Sequence, residues 1–304
     1  MKLKTDAARR AAIIKRVKPA VWSVCRAVIL TIFLFLLFYP LLYMTVTVFR
    51  DETDFRNPAV YWITRHFTIE NIKLAMKFLK YPKTFAYSAE IALGSAALQT
   101  VSCALAGYGF ARYKFKGGKV AFAVLLATVI VPPQTTLLGL FAITRRLGLL
   151  NSPAAFWLQA LLGSGLRSGL FVYIYRQFFK GLPRDLEQAA AIDGCNPVET
   201  FFRVMLPNVT PGIVTVFFFS VVWHFNDNFV TKYLSPERKT LAGMLYTLRD
   251  SVTSAAASTM EFDVMTAQGI VQAGSLLTLL PMLILYFVLQ RQLKEGIART
   301  GIVG

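Results

Sequence analysis

Residues 182–211 read LPRDLEQAAAIDGCNPVETFFRVMLPNVTP, the one long polar insertion between strongly apolar segments in the second half of the chain. Its punctuation predicts two short helices. Asp185 is placed to cap the first, with Gln188 three residues on to answer it. Ala189, Ala190 and Ala191 favour helix and carry almost no bulk. Gly194 supplies a stop. Asn196 is placed to cap the second helix, with Pro197 at its first position and Glu199 three residues past the cap. That helix is expected to end near Leu206, ahead of Pro207. The product is a compact elbow with a small-residue face, shaped to lie in the cleft of another protein.

Outward from the elbow the chain turns apolar. Of 304 residues 55% are hydrophobic, 25 are Phe and only 16% are charged. Several runs approach or exceed the ~20 residues a helix needs to cross a bilayer. This predicts an all-α, polytopic membrane protein with six transmembrane helices, near 27–49, 84–110, 120–143, 154–175, 209–229 and 269–289. Residues 1–26 are a basic N-terminus, 50–83 and 230–268 are external segments, and 291–304 are a tail. The five later helices and the elbow (182–208) make one core over 84–290.

The net charge of +17 would suit nucleic acid, so its placement decides. The larger share of the 33 Lys and Arg falls before the first span, in 112–119, in 176–203 and in the tail. The positive-inside rule then puts both termini and the elbow in the cytoplasm. The N-terminal basic residues suit anionic membrane lipid, and nucleic acid loses its motive. Cys25, Cys103 and Cys195 have no metal or redox spacing, and His66 and His224 are the only histidines, so no metal site is expected. No cleavable signal sequence is evident. No phosphate-cradling Gly-x-x-x-x-Gly-Lys-Ser/Thr run occurs, so the chain should not hydrolyse ATP and is not read as an enzyme.

Inside the spans, small residues of the second (Gly94, Ala96, Ala97, Ala104, Ala106, Gly107) permit close helix packing. Pro132 and Pro133 should kink the third, with Gln134 beside the break as a candidate pathway wall. In the fourth, Gly165 and Gly169 form a small-xxx-small pattern around Arg167, whose charge at depth demands a partner or water. Asn226 and Asp227, near Trp223 and His224, are polar groups at the outer end of the fifth. Each of these also has an ordinary reading as helix–helix hydrogen bonding. The run Ile72, Ala75, Met76 and Leu79 reads as an interfacial helix or as a contact for a soluble delivery protein.

The spacing of Gln188-Ala189-Ala190, Asp193-Gly194, Val204, Leu206 and Pro207 resembles the EAA loop of bacterial ABC importer permeases, with Gln188 in place of the family's Glu and Glu187 just before it. Val131–Gln134 through Leu147–Ser152, Arg176–Phe179, the WHFNDNF run at Trp223–Phe229, and Thr68–Asn71 are similar to carbohydrate-type members of the maltose-permease second-subunit kind. The likeness covers about 65–304. It implies the type I importer fold and a bacterial inner-membrane location. It also implies a second permease subunit in a heterodimer, two ATPase subunits carrying ATP and Mg²⁺, and an extracytoplasmic substrate-binding protein. Glu187 to Ala190, Asp193, Gly194, Leu206 and Pro207 would then couple to the ATPase. Pro132, Gln134, Arg167, Asn226 and Asp227 are the candidates for the path of a mono- or oligosaccharide.

Three other readings stay open on residues alone. A secondary transporter would use ionisable groups at mid-membrane, but Glu90 and Asp227 sit towards span ends. A scaffold would have no use for a broken third span. An importer of a polyamine or phosphate ester would share the elbow.

Overall fold

The computed structural model describes residues 2–60, 62–259 and 266–301. Among these the architecture is helical, with one isolated strand-type bridge between Arg50 and Phe67. In chain order the helices are α1 (Lys2–Val48), α2 (Glu52–Arg56), α3 (Glu70–Leu79), α4 (Tyr81–Arg112), α5 (Gly118–Ile130), α6 (Pro133–Arg146), α7 (Ala154–Leu161) and α8 (Ser168–Gly181). Then follow α9 (Asp185–Ile192), α10 (Pro197–Glu199), a π-helical turn (Thr200–Met205), α11 (Leu206–Asn208), α12 (Thr210–Asn226), α13 (Phe229–Leu234), α14 (Leu241–Thr259) and α15 (Thr266–Gly301).

The hub is α4, which packs against α7, α8 and α12. Its small residues make this possible. A Cβ on Gly107 would lie 2.5 Å from Tyr175 Cβ and 3.1 Å from the Val172 carbonyl, so a side chain there would push α8 away. Two apolar clusters hold the bundle. One joins Val48, Leu79, Ala92, Leu248, Val252 and Ile270; the other joins Cys103, Phe171, Tyr175, Phe179, Phe201 and Met205. By contrast α1 rests on α15 and leaves its apolar side chains from Val21 to Leu42 largely exposed.

Three helices are long and apolar enough to cross a membrane unaided: Val21–Val48, Tyr81–Arg112 and Thr266–Lys294. Two further crossings are bent. The expected kink in the third span is a 99° break between α5 and α6. Val131, extended as a residue before proline must be, marks the turn. The second bent pair sets Pro197–Asn208 at 82° to α12.

The fourth span departs from the expected continuous helix. It is two pieces, α7 and α8, separated by residues 162–167 with positive φ at Gly163 and Arg167. Gly165 and Gly169 therefore do not share a helical face. Gly165 sits in the link, 3.0 Å (as a built Cβ) from Gln99 Nε2, and Gly169 lets the Leu125 carbonyl of α5 approach α8.

In α15, Pro281 lacks the N–H that would bond the Leu277 carbonyl; the Tyr81 hydroxyl donates to that carbonyl instead, at 3.0 Å, and the helix runs on. The external segments are also more ordered than their polarity suggested. The expected interfacial helix α3 buries Asn71, Ala75 and Leu79 against α14, α15 and α4, so its apolar face meets protein while Met76 stays exposed.

Candidate functional site

The elbow is built largely as its punctuation reads. Asn196 Oδ1 accepts from the Val198 and Glu199 amides at 3.0 and 2.9 Å, and Glu199 Oε2 accepts from the Asn196 amide at 3.0 Å. The first helix closes with Cys195 N–H on the Ala190 carbonyl (2.9 Å) and Gly194 N–H on the Ala191 carbonyl (3.1 Å), the paired bonds of a Schellman stop. Gly194 takes φ +81 there.

Two expectations fail in detail. Asp185 is not the cap: it is the first helical residue, and Arg184 occupies the cap position without a side-chain bond. Asp185 and Glu187 instead meet the helix dipole from the first turn. Nor does the second helix stop before Pro207. It passes through the π turn into α11, where Pro207 sits in the first turn and its missing N–H leaves no bond unmade.

One side of the elbow is tied down. Tyr108 donates its hydroxyl to Glu187 Oε1 at 2.7 Å. Arg112 Nε lies 3.5 Å from Glu187 Oε2, an ion pair rather than a hydrogen bond, and Arg112 Nη2 donates to the Leu182 carbonyl at 2.8 Å. Arg112, expected in a solvated basic loop, is thus a buried strut with its side chain 7% exposed. Phe179, Phe201 and Tyr108 stack around it, with ring centroids 5.2–6.1 Å apart. Ala190 is buried, and Leu206 is half-buried in the same cluster. The other side is open: Gln188, Ala189, Asp193, Gly194 and Pro207 are exposed, together with Ile192 (86%), Val198 and Phe202. Among the coupling candidates, then, Glu187 faces its own protein and Gln188 faces out.

The path candidates do not form one site. Pro132 and Gln134 are exposed at the α5–α6 bend. Asn226 donates to the Val222 carbonyl of its own helix. Asp227 spends its carboxylate on the start of α13, accepting from the Val230 and Thr231 amides at 3.2 and 2.8 Å. Arg167 stands apart, with φ 60, its Nη1 3.4 Å from the Val129 carbonyl and its guanidinium 5.8 Å from the Trp223 ring centroid.

Gln99 was not singled out by sequence. Fully buried on α4, it donates to the Leu166 carbonyl (2.9 Å) and Ser168 Oγ (2.7 Å) and accepts from Ser220 Oγ (2.6 Å). A lone amide among the small residues of the second span was the available signal. Outside the spans, Asp51, Asp54 and His66 gather within 4.8 Å. Asp51 caps α2 and Asp54 accepts from the Arg65 and His66 amides, so these carboxylates are engaged in a turn.

A family model described as "binding-protein-dependent transport system inner membrane component" matches residues 103–297. The maltodextrin transport system permease protein MdxG of Bacillus subtilis is 26% identical over 286 residues, 93% of this chain and 96% of that protein. The lactose transport system permease protein LacG of Rhizobium radiobacter is 28% identical over 88% of this chain and 92% of its own length. Among solved structures, a bacterial ABC transporter involved in import of the acidic polysaccharide alginate shares the fold. Its TM-score is 0.69 at 18% identity, over 89% of this chain and 96% of that one.

Proposed function

The chain belongs to the binding-protein-dependent transport system inner membrane component family, and from that premise we propose that it is a permease subunit of an ABC importer for a mono- or oligosaccharide. The names of its relatives, which transport maltodextrin and lactose, support the cargo class. It is a transport subunit, with hydrolysis left to its companions. Six crossings, counting the α5–α6 and α7–α8 pairs as one each, put both termini and the elbow on the cytoplasmic side. Its companions would be a second permease, two ATPase subunits holding ATP and Mg²⁺, and an external binding protein.

The observation that carries this reading is the two-sided elbow. Glu187, Arg112 and Tyr108 fix one side to α4, and Gln188, Ala189, Ile192 and Val198 are offered to a partner. Closure of the ATPase pair would draw two such elbows together. Because each is capped and tied to the hub helix, the motion passes into α4 and from there to α7, α8 and α12. Gln188 in place of the family's Glu leaves this contact without a charge at that position, while the neighbouring carboxylate works inwardly.

Gly194→Val is the test. Its Cβ meets no atom within 4 Å, so the cost is the left-handed backbone, about 1–2 kcal/mol and local. The assembled complex should keep hydrolysing ATP while uptake in proteoliposomes falls to background. Unchanged uptake sinks the reading. In a Cys25→Ser background, Cys195 should react with an impermeant maleimide from the cytoplasmic face alone.

A further inference from the structure

Arg167 carries its charge at the height of the bilayer's middle. Gln99, near the centre of the 32-residue α4, bonds Leu166 and Ser168 on either side of it. At 1.5 Å per residue that level is roughly 20 Å or more from either end of α4. A basic side chain there must face protein or water. Yet Arg167 is exposed, and among the described residues its partners are the Val129 carbonyl and the Trp223 ring, with no carboxylate in reach. Its left-handed backbone is an unfavourable conformation for a non-glycine and persists only where surroundings impose it. The Gln99 bonds to both neighbours do so.

The surroundings supply the rest of a binding site. Pro132 and Pro133 have no N–H, so the carbonyls of Thr128 and Val129, four residues back, are released from the α5 ladder. These accept from hydroxyls. Trp223, half-buried against Phe171 and Phe219, offers a ring beside the guanidinium. Hydroxyl groups alone would be served by Asn or Gln at lower insertion cost. A guanidinium is accounted for when an anion meets it, and its fork matches a carboxylate with two parallel bonds.

The geometry points to a cargo subsite, formed by Arg167, Trp223 and the proline-freed carbonyls, for a saccharide bearing a carboxylate. This assignment rests on the importer reading and names its cargo more narrowly as an acidic, uronate-type sugar.

The test uses the full complex with its companion permease, ATPase and binding protein in proteoliposomes. Uptake of an oligogalacturonate is compared with that of the same oligosaccharide after carboxyl reduction. The acidic form should enter faster by about tenfold or more, the scale of one charge-assisted hydrogen bond. Arg167→Gln should erase that preference and Arg167→Lys should retain part of it. Equal uptake of the two forms, or entry of the neutral form alone, overturns the carboxylate assignment and leaves the importer reading standing. If neither form enters or stimulates ATP hydrolysis in the wild-type complex, both fall. If Arg167→Gln abolishes co-purification with the companion permease, the missing counter-charge belongs to that subunit and the cargo assignment is wrong.

Discussion

The elbow and the break in the fourth span are both short irregular segments flanked by helices, but they are ordered from opposite distances. In the elbow the closing bonds run three to five residues: Asn196 to Val198 and Glu199, Cys195 to Ala190. In the break they run 67 residues to Leu166, 69 to Ser168, and from the same Gln99 a further 121 to Ser220. A locally closed segment moves as a unit and suits a lever. A segment pinned through three helices keeps its shape only while those helices keep their places, which suits a point where the bundle changes state.

The largest expected effect comes from removing the pin. Gln99→Leu strips the Leu166 carbonyl, Ser168 and Ser220 of a buried partner, at roughly 1–3 kcal/mol for each group left unpaired. The apparent melting temperature in detergent should drop further than for any elbow variant, and Trp223 fluorescence should shift as Arg167 moves. A melting curve unchanged from wild type would mean that the break is closed locally after all, and the contrast with the elbow would vanish.

Next comes the attachment of the elbow to the hub. Glu187→Ala leaves buried Arg112 without its carboxylate and Tyr108 without its acceptor. Breaking a buried pair costs about 3–5 kcal/mol, and the partial exposure of Glu187 lowers this to about 1–3. Solute moved per ATP hydrolysed should fall while the complex still assembles. Glu187→Gln, which can still accept from Tyr108, should lose less. Equal coupling in all three proteins would show that the elbow transmits motion by another route.

The same difference in reach explains what could be read in advance. The Asn196–Glu199 box, the Gly194 stop and the Pro132–Pro133 bend each depend on residues within one turn, and each is found. Arg112 was read as a loop cation because nothing near it in sequence announces Glu187, 75 positions away. The fourth span was read as one helix because 154–175 is apolar and free of internal proline; Gly163 weakens it, but Gln99 decides where it opens. Asp185 misled for a smaller reason. A carboxylate in the first turn and one at the cap look alike in sequence, and the lead-in through Pro183 shifts the register by one.

Asn196→Ala should have a smaller effect and mark the local limit. It removes two amide bonds at an exposed cap, about 1 kcal/mol. Elbow proteolysis should quicken while the melting temperature barely changes. A large drop in melting temperature would mean that the cap supports the bundle and not the elbow alone.

The external turn at Asp54 is the intermediate case, closed over 11 and 12 residues by the Arg65 and His66 amides. Burial works against its charge, but those amides and the nearby imidazole outweigh it and hold the carboxyl below its ordinary value of 3.8. A carboxyl depressed on folding stabilises the turn above the unfolded value and loses that contribution as pH falls through the folded one. Protection of the Arg65 and His66 amides against hydrogen exchange should therefore hold at pH 5 and fade below about pH 3.8, with the rest of the bundle unaffected. In Asp54→Asn the acceptor is neutral throughout, so protection should be weaker at pH 5 and flat towards acid. If the variant fades with pH as the wild type does, another carboxylate such as Asp51 closes the turn. The gradation from near to distant closure would then lose its middle member.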